Sequence, residues 1–128
     1  TFPFQNASNG VNYYLHLKHR NSLETWSKTT QTFTGNSLNY DFTTANTQAF
    51  GDNMPGIDAS PVKFGIYSGD QNQNGIVDLT DVVNVSNEAA YFTSGYFPTD
   101  MNGDNTTDLT DIVITSNNAG SFVAKIVP

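Results

Sequence analysis

The chain carries one twelve-residue pattern twice, thirty residues apart. The first copy is DQNQNGIVDLTD, from Asp70 to Asp81; the second is DMNGDNTTDLTD, from Asp100 to Asp111. Each sets an oxygen-bearing side chain at loop positions 1, 3, 5, 9 and 12, the spacing with which a short loop wraps one Ca²⁺. Loop one offers the side chains of Asp70, Asn72, Asn74 and Asp81, the backbone carbonyl of Ile76, and Asp78 directly or through water. Loop two offers Asp100, Asn102, Asp104, Asp108 and Asp111 with the Thr106 carbonyl in the same roles. Two Ca²⁺ ions are therefore expected. Mg²⁺ suits the loops less, since it demands a tight octahedron and holds its waters.

The repetition continues past the oxygen donors. A thirty-residue offset also aligns Leu79-Thr80 with Leu109-Thr110, Val83 with Val113, Ser86 with Ser116, Asn87 with Asn117, Ala89 with Ala119 and Phe92 with Phe122. Ligands alone arise by convergence, but shared apolar spacing implies a duplicated structural unit. Leu79, Val82, Val83, Ser86 and Ala90 fall at helical spacing, as do Leu109, Ile112 and Val113. Each unit thus reads as a loop followed by a short helix, with Asp78 and Asp108 placed to cap it. The two helices are expected to bury a shared apolar seam. The copies differ at loop position 6, where Gly75 is replaced by Asn105. That position needs a left-handed backbone, easier for Gly than for Asn. Loop two also has one more carboxylate, Asp104 where loop one has Asn74, so geometry and charge favour opposite loops.

Charge follows the repeats. The formal net charge is -7. Residues 1–68 balance Lys18, Arg20, Lys28 and Lys63 against Glu24, Asp41, Asp52 and Asp58, whereas residues 69–128 set seven Asp and Glu88 against Lys125 alone. All seven of those Asp lie inside the two loops, an arrangement that repels itself unless a cation is present. No basic stripe exists for nucleic acid. The absence of cysteine excludes disulfides, zinc thiolate sites and thiol catalysis. A small domain without disulfides needs another staple, and bound metal is one. No apolar run approaches the roughly 20 residues of a membrane span. The chain begins at Thr1 and not at Met, as a mature product or a fragment would.

Residues 1–68 read as a β-rich unit. Val11–Arg20 alternates Tyr13, Leu15 and Leu17 with Tyr14, His16 and Lys18 and predicts a strand, followed by a turn at Asn21-Ser22. Further strands are expected over Thr25–Thr34, Leu38–Thr43 and Val62–Tyr67, with a turn at Gly35-Asn36 and a long loop over Ala45–Ser60. The fold class is thus α+β: a small antiparallel sheet or partial sandwich (1–68) followed by two calcium loop–helix repeats (69–128). His16 and His19 point to opposite faces of a strand and form no metal pair. Trp26, Tyr13, Tyr14, Tyr40 and Phe42 fit a sheet core better than a sugar-stacking platform. Glu24 and Asp41 have no cleft to work across as a glycosidase pair. No Ser-His-Asp signature, phosphate loop or dinucleotide fingerprint is present, and no enzyme activity is expected.

Both loops end in Asp where an ordinary EF-hand has Glu, and neither follows a helix-like segment: Val62–Tyr67 is strand-like and Gly95-Tyr96-Phe97-Pro98 breaks a helix. With these features, GDQNQNGIVDLTD and TDMNGDNTTDLTD make residues 69–128 resemble the half-EF-hand repeats of type I dockerins. The resemblance implies a secreted, usually bacterial, protein in which Ca²⁺ orders the fold. The first half, with YYLHLKHRNSLETWS and LNYDFT, looks like segments preceding dockerin-like repeats in large secreted bacterial proteins. Dockerins bind cohesins, but here Phe64-Gly65-Ile66-Tyr67 enters loop one without a Pro/Thr spacer. Positions 10 and 11, Leu79-Thr80 and Leu109-Thr110, lack the Ser-Thr pairing of the best-known type I dockerins. The expectation is therefore an extracellular, cell-surface structural module that assembles with itself or with other surface proteins through apolar terminal strands, Thr1–Phe4 and Phe122–Pro128. A cohesin-binding dockerin and a glycan-binding module are the alternatives.

Overall fold

The computed structural model describes residues 2–128. Its β-structure is not one sheet but three separate two-stranded antiparallel ribbons. In the first, β1 (Asn12–Tyr13) pairs with β4 (Gln31–Thr32). In the second, β2 (His16–His19) pairs with β3 (Ser22–Trp26); in the third, β5 (Gly56–Ala59) pairs with β6 (Val62–Phe64). The strand expected over Val11–Arg20 is thus broken into β1 and β2. Its alternation holds nonetheless: Tyr13, Leu15 and Leu17 are half-buried, while Tyr14, His16 and Lys18 are exposed.

The strand β3 organises the first half. His19 pairs with Ser22, so the turn is Arg20-Asn21, one residue before the expected place. Beyond its ladder to β2, the other edge of β3 is tied to later chain. The Leu23 amide donates to the Tyr67 carbonyl at 2.8 Å, and Ser27 bridges Ala49. Leu23, Ala49 and Met54 form the buried apolar centre of this half, and Leu23 is fully enclosed. The Thr25–Thr34 segment accordingly divides between β3 and β4. Gly35-Asn36 is a turn as expected: both residues have positive φ, 59° and 60°, and Thr34 bridges Ser37 across them.

Leu38–Thr43 is a correction of physical interest. Leu38, Tyr40 and Phe42 are half-buried and Asn39, Asp41 and Thr43 exposed, as alternation predicts. Yet no strand forms. Asp41 Oδ1 accepts from the Thr43 amide at 2.8 Å and caps a 3-10 turn, Phe42–Thr44, so a local side chain captures the amide a ladder would have used. The expected long loop, Ala45–Ser60, holds two further 3-10 turns (Asn46–Gln48 and Phe50–Asp52) and all of β5. The strand expected over Val62–Tyr67 is reduced to β6.

In the second half α1 (Leu79–Ala89) packs on α2 (Leu109–Gly120), each following its loop as expected. The seam differs from the expected one. Its buried stripes are Asp81, Val85 and Ala89 on α1, and Asp111 and Thr115 on α2. Leu79 and Leu109 are 72% and 71% exposed, and Val83 and Val113 also face solvent. The reason is the cap. Asp78 and Asp108 are the N-caps, each in a reciprocal capping box with Asp81 or Asp111. That box turns the last Asp of each loop inward, and the inward stripe runs from it at i, i+4 and i+8.

The halves interlock. Gly69 donates to the Asn21 carbonyl at 2.7 Å, Gln73 Nε2 to the Ser22 carbonyl at 3.3 Å, and Asn118 Nδ2 to the Ser68 carbonyl at 2.7 Å. The Arg20-Asn21 turn also reaches loop two. Asn21 Nδ2 and Arg20 Nη2 donate to the Asp100 carbonyl at 2.7 and 2.8 Å. Of the two ends expected as free strands, Val123–Lys125 is already paired inside the chain. Phe2–Phe4 forms no strand, though the Phe4 ring meets Phe33 edge-on at 5.8 Å; Thr1 lies outside the described residues. Replacing Leu23 by Ala is expected to cost about 2–5 kcal/mol, the usual range for a fully buried leucine, read as a lowered urea midpoint in Ca²⁺ buffer.

Candidate metal centre

Each loop is held in shape by its own acids. In loop one Asp70 accepts from the amides of Asn74 and Gly75, both at 3.0 Å. Asn72 Oδ1 accepts from Asn74 and Asn74 Oδ1 from Ile76, each at 2.9 Å, so successive side chains curl toward the loop. Asp81 closes it. One carboxylate oxygen accepts from Gln71 and Asn72 at the start of the loop, the other from Asp78 near its end. Loop two repeats the design. Asp100 accepts from Gly103 and Asn105, Asn102 from Asp104, Asp104 from Thr106, and Asp111 from Met101, Asn102 and Asp108. Position 6 is left-handed in both loops, with φ 91° at Gly75 and 76° at Asn105, as the pattern requires.

A residue set that spacing did not reveal forms the outer wall of each loop. The chain leaves α1 through Phe92, at φ 49°, and its next residues pair with loop two: Thr107 donates to Thr93 at 2.8 Å and Gly95 to Asn105 at 3.0 Å. The chain leaves α2 through Phe122, at φ 54°, and pairs with loop one: Val77 donates to Val123 at 3.0 Å and Lys125 to Gly75 at 2.8 Å. Ile76 and Ser94 lie at the bridge centres, opposite Ala124 and Thr106. The bonds flank these centres, so the Ile76 and Thr106 carbonyls turn away from the wall, to the loop side. The sequence signal was the repeat persisting to Phe92 and Phe122, beyond any metal donor.

The wall explains the unequal sixth position. A Cβ on Gly75 would stand 2.6 Å from the Lys125 side chain, which lies across it. Thirty residues earlier the residue equivalent to Lys125 is Gly95. The side chain is thus on the wall at loop one and on the loop at loop two, and each pairing keeps one glycine.

The predicted donors divide by burial. Asp70, Asp81, Asp100 and Asp111 are at most 2% exposed; Asp78, Asp108 and Thr106 are half-buried; Asn72, Asn74, Ile76, Asn102 and Asp104 are exposed. Burial pushes the Asp70 carboxyl above its ordinary value, and the charge of Asp81 adds to the rise against the amides that lower it. Asp100 instead has a cation at hand, Arg20 Nη2 at 3.5 Å from Oδ2. Arg20 offsets the extra carboxylate of loop two. Among the described residues no three His, Cys, Asp or Glu side chains form a metal-holding group by themselves. A cation in either loop would need the Asn amide and backbone carbonyl oxygens as well. The donor set is all oxygen and acidic, with two buried carboxylates per loop, which fits a hard divalent ion and no softer metal.

The other sequence candidates have local duties. Glu24 receives Lys18 at 3.2 Å, Lys125 at 3.5 Å and His16 at 3.6 Å. Partial desolvation raises its pKa, but the Lys18 hydrogen bond and the charges of Lys125 and His16 outweigh this and hold it below the ordinary value. Asp41 also lies low, chiefly through its hydrogen bonds from Thr43. His16 stacks flat on Trp26, ring centres 4.2 Å apart, and His19 meets Asn21. Tyr13, Tyr14, Tyr40 and Phe42 line a groove of about 1260 Å³ with Phe4 and Phe33, and among the described residues no Asp, Glu, Lys or Arg borders it. Trp26 is outside that groove. No protein-family model, curated protein or solved structure matches the chain.

Two outcomes follow. Gly75→Asn alone should destabilise the fold by about 1 kcal/mol or more, and adding Lys125→Gly should restore part of that loss, measured as a double-mutant cycle. Glu24 is held low, so its contribution is present above the ordinary carboxylate range and fades as pH falls through its depressed value. Glu24→Gln should therefore be less stable than the parent at neutral pH, with the gap closing in acid, as urea midpoints along a pH series would record.

Proposed function

We propose that the chain is a non-enzymatic, extracellular, cell-surface module stabilised by two Ca²⁺ ions, which assembles with itself or with other surface proteins. The observation that carries the metal half of this reading is the pair of enclosed carboxylates at positions 1 and 12 of both loops. Buried like charges oppose folding, and a divalent cation between them converts that cost into folding free energy. Asp70, Asn72, Asn74, Asp81 and the Ile76 carbonyl would hold one ion. Asp100, Asn102, Asp104, Asp111 and the Thr106 carbonyl would hold the other. Asp78 and Asp108 each commit one oxygen to the Thr80 or Thr110 amide, at 2.7 Å, so they act through the remaining oxygen or a water.

Assembly is supported by the bonded junction at Tyr67–Gly69, which leaves no flexible tether between a cargo and a docking unit. It is also supported by large exposed apolar groups, among them Phe2 at 83% and Phe122 at 88%. The Phe2–Phe4 end remains available to a neighbour. The cohesin alternative draws on Leu79-Thr80 and Leu109-Thr110, which project from equivalent helix starts. The glycan alternative draws on the uncharged aromatic groove.

Calorimetric titration should find two Ca²⁺ per chain, and Asp70→Ala or Asp100→Ala should each remove one; fewer than two in the parent would refute the assignment. Light scattering with and without chelator should show species larger than one chain in Ca²⁺. A monomer that instead captures a cohesin, or retains a neutral glycan on an array, would replace the assembly reading.

A further inference from the structure

The walls of the two loops are exchanged. If each repeat were self-contained, the residues after α1 would brace loop one. They brace loop two, through Thr93 and Gly95, while the residues after α2 brace loop one, through Val123 and Lys125. Each helix is also joined rigidly to its own loop, because Asp81 and Asp111 close the loop and complete the capping box of the helix that follows. Order therefore passes from loop one through Asp81 and α1 to the wall of loop two. It returns from loop two through Asp111 and α2 to the wall of loop one.

From this closed circuit we infer that the two loops take up Ca²⁺ with positive cooperativity, the first ion building the wall against which the second loop folds. The inference rests on Ca²⁺ occupying both loops. Its physical source is shared ordering: an empty loop must fix its own backbone and the opposite wall, whereas a loop whose wall is already fixed orders fewer residues. The coupling is reciprocal, so disabling either loop weakens the other by the same factor. The circuit also reaches the first half. Ala124 accepts from Asn53 Nδ2 at 2.9 Å, and Lys125 Nζ stands 3.5 Å from Glu24, which neighbours His16 on Trp26. Trp26 is the chain's one tryptophan and so reports wall formation at loop one from outside either loop.

The test titrates the whole chain with chelator-buffered Ca²⁺, following heat and Trp26 fluorescence together. Two ions with a Hill coefficient above one are expected, the fluorescence change tracking the same transition. Asp100→Asn should leave one ion, in loop one, bound about tenfold more weakly than in the parent. Lys125→Pro removes the amide that donates to Gly75 and no proposed metal donor. It should bring the Hill coefficient toward one while two ions still bind, and it serves if Asp100→Asn does not fold. Two ions bound independently, with loop-one affinity unchanged in Asp100→Asn or cooperativity undiminished in Lys125→Pro, would overturn the coupling and leave the two-ion assignment standing. Fewer than two ions in the parent would overturn both.

Discussion

The rest of the second half depends on the aspartate at position 12 of each loop. Asp81 and Asp111 are fully enclosed, and each does two jobs with one carboxylate. It ties the start of the loop to its end, and it accepts from the N-cap amide of the helix that follows. Loop closure and helix initiation thus become a single event. The same constraint decides which helix face is buried, since the stripe at i+4 and i+8 follows wherever that carboxylate points. Val85 and Ala89 are inside and Leu79 is outside for that reason, although Leu79 is the more apolar.

A short side chain at this position has a geometric logic. Asp must keep its carboxylate close to its own backbone to reach the N-cap amide and the loop start together. Enclosure costs such acids their solvation first and sets up mutual repulsion second: burial is the main cause of the raised Asp70 carboxyl, and the charge of Asp81 adds to it. Loop two relieves part of that repulsion with Arg20, which belongs to the β2–β3 turn; among the described residues no cation pairs with an acid of loop one, and Lys125 is engaged by Glu24. The two sites are therefore similar in backbone and different in electrostatic setting. The extra formal charge of loop two is thus partly offset by Arg20.

The β-rich half leans on the repeats. Its ribbons have two strands each, too few to be stable alone, and its apolar centre is small. What holds β3 in place is its free edge against Tyr67 and Ser68, the residues that lead into loop one, together with the Arg20-Asn21 turn on Asp100. Divided at residue 68, the chain would lose these contacts on both sides.

The sequence by itself determined the two loops, their helices, the Asp78 and Asp108 caps, the left-handed sixth position and the Gly35-Asn36 turn. All of these are local: a side chain meets an amide a few residues away, and spacing alone specifies the partner. It also gave the correct in-and-out alternation for Tyr13–Lys18 and Leu38–Thr43. Only the tertiary structure decided whether those alternating segments found a ladder, which edges of β3 were covered, and that each loop is walled by the segment after the opposite helix. Those outcomes depend on pairings between residues far apart in the chain, where many partners satisfy the same alternation and the choice is made by packing and by which backbone groups remain unpaired. Lys125 against Gly75 and Gly95 against Asn105 are the clearest case: the sequence marks the Gly75/Asn105 difference, and only the exchanged walls bring Lys125 and Gly95 against it.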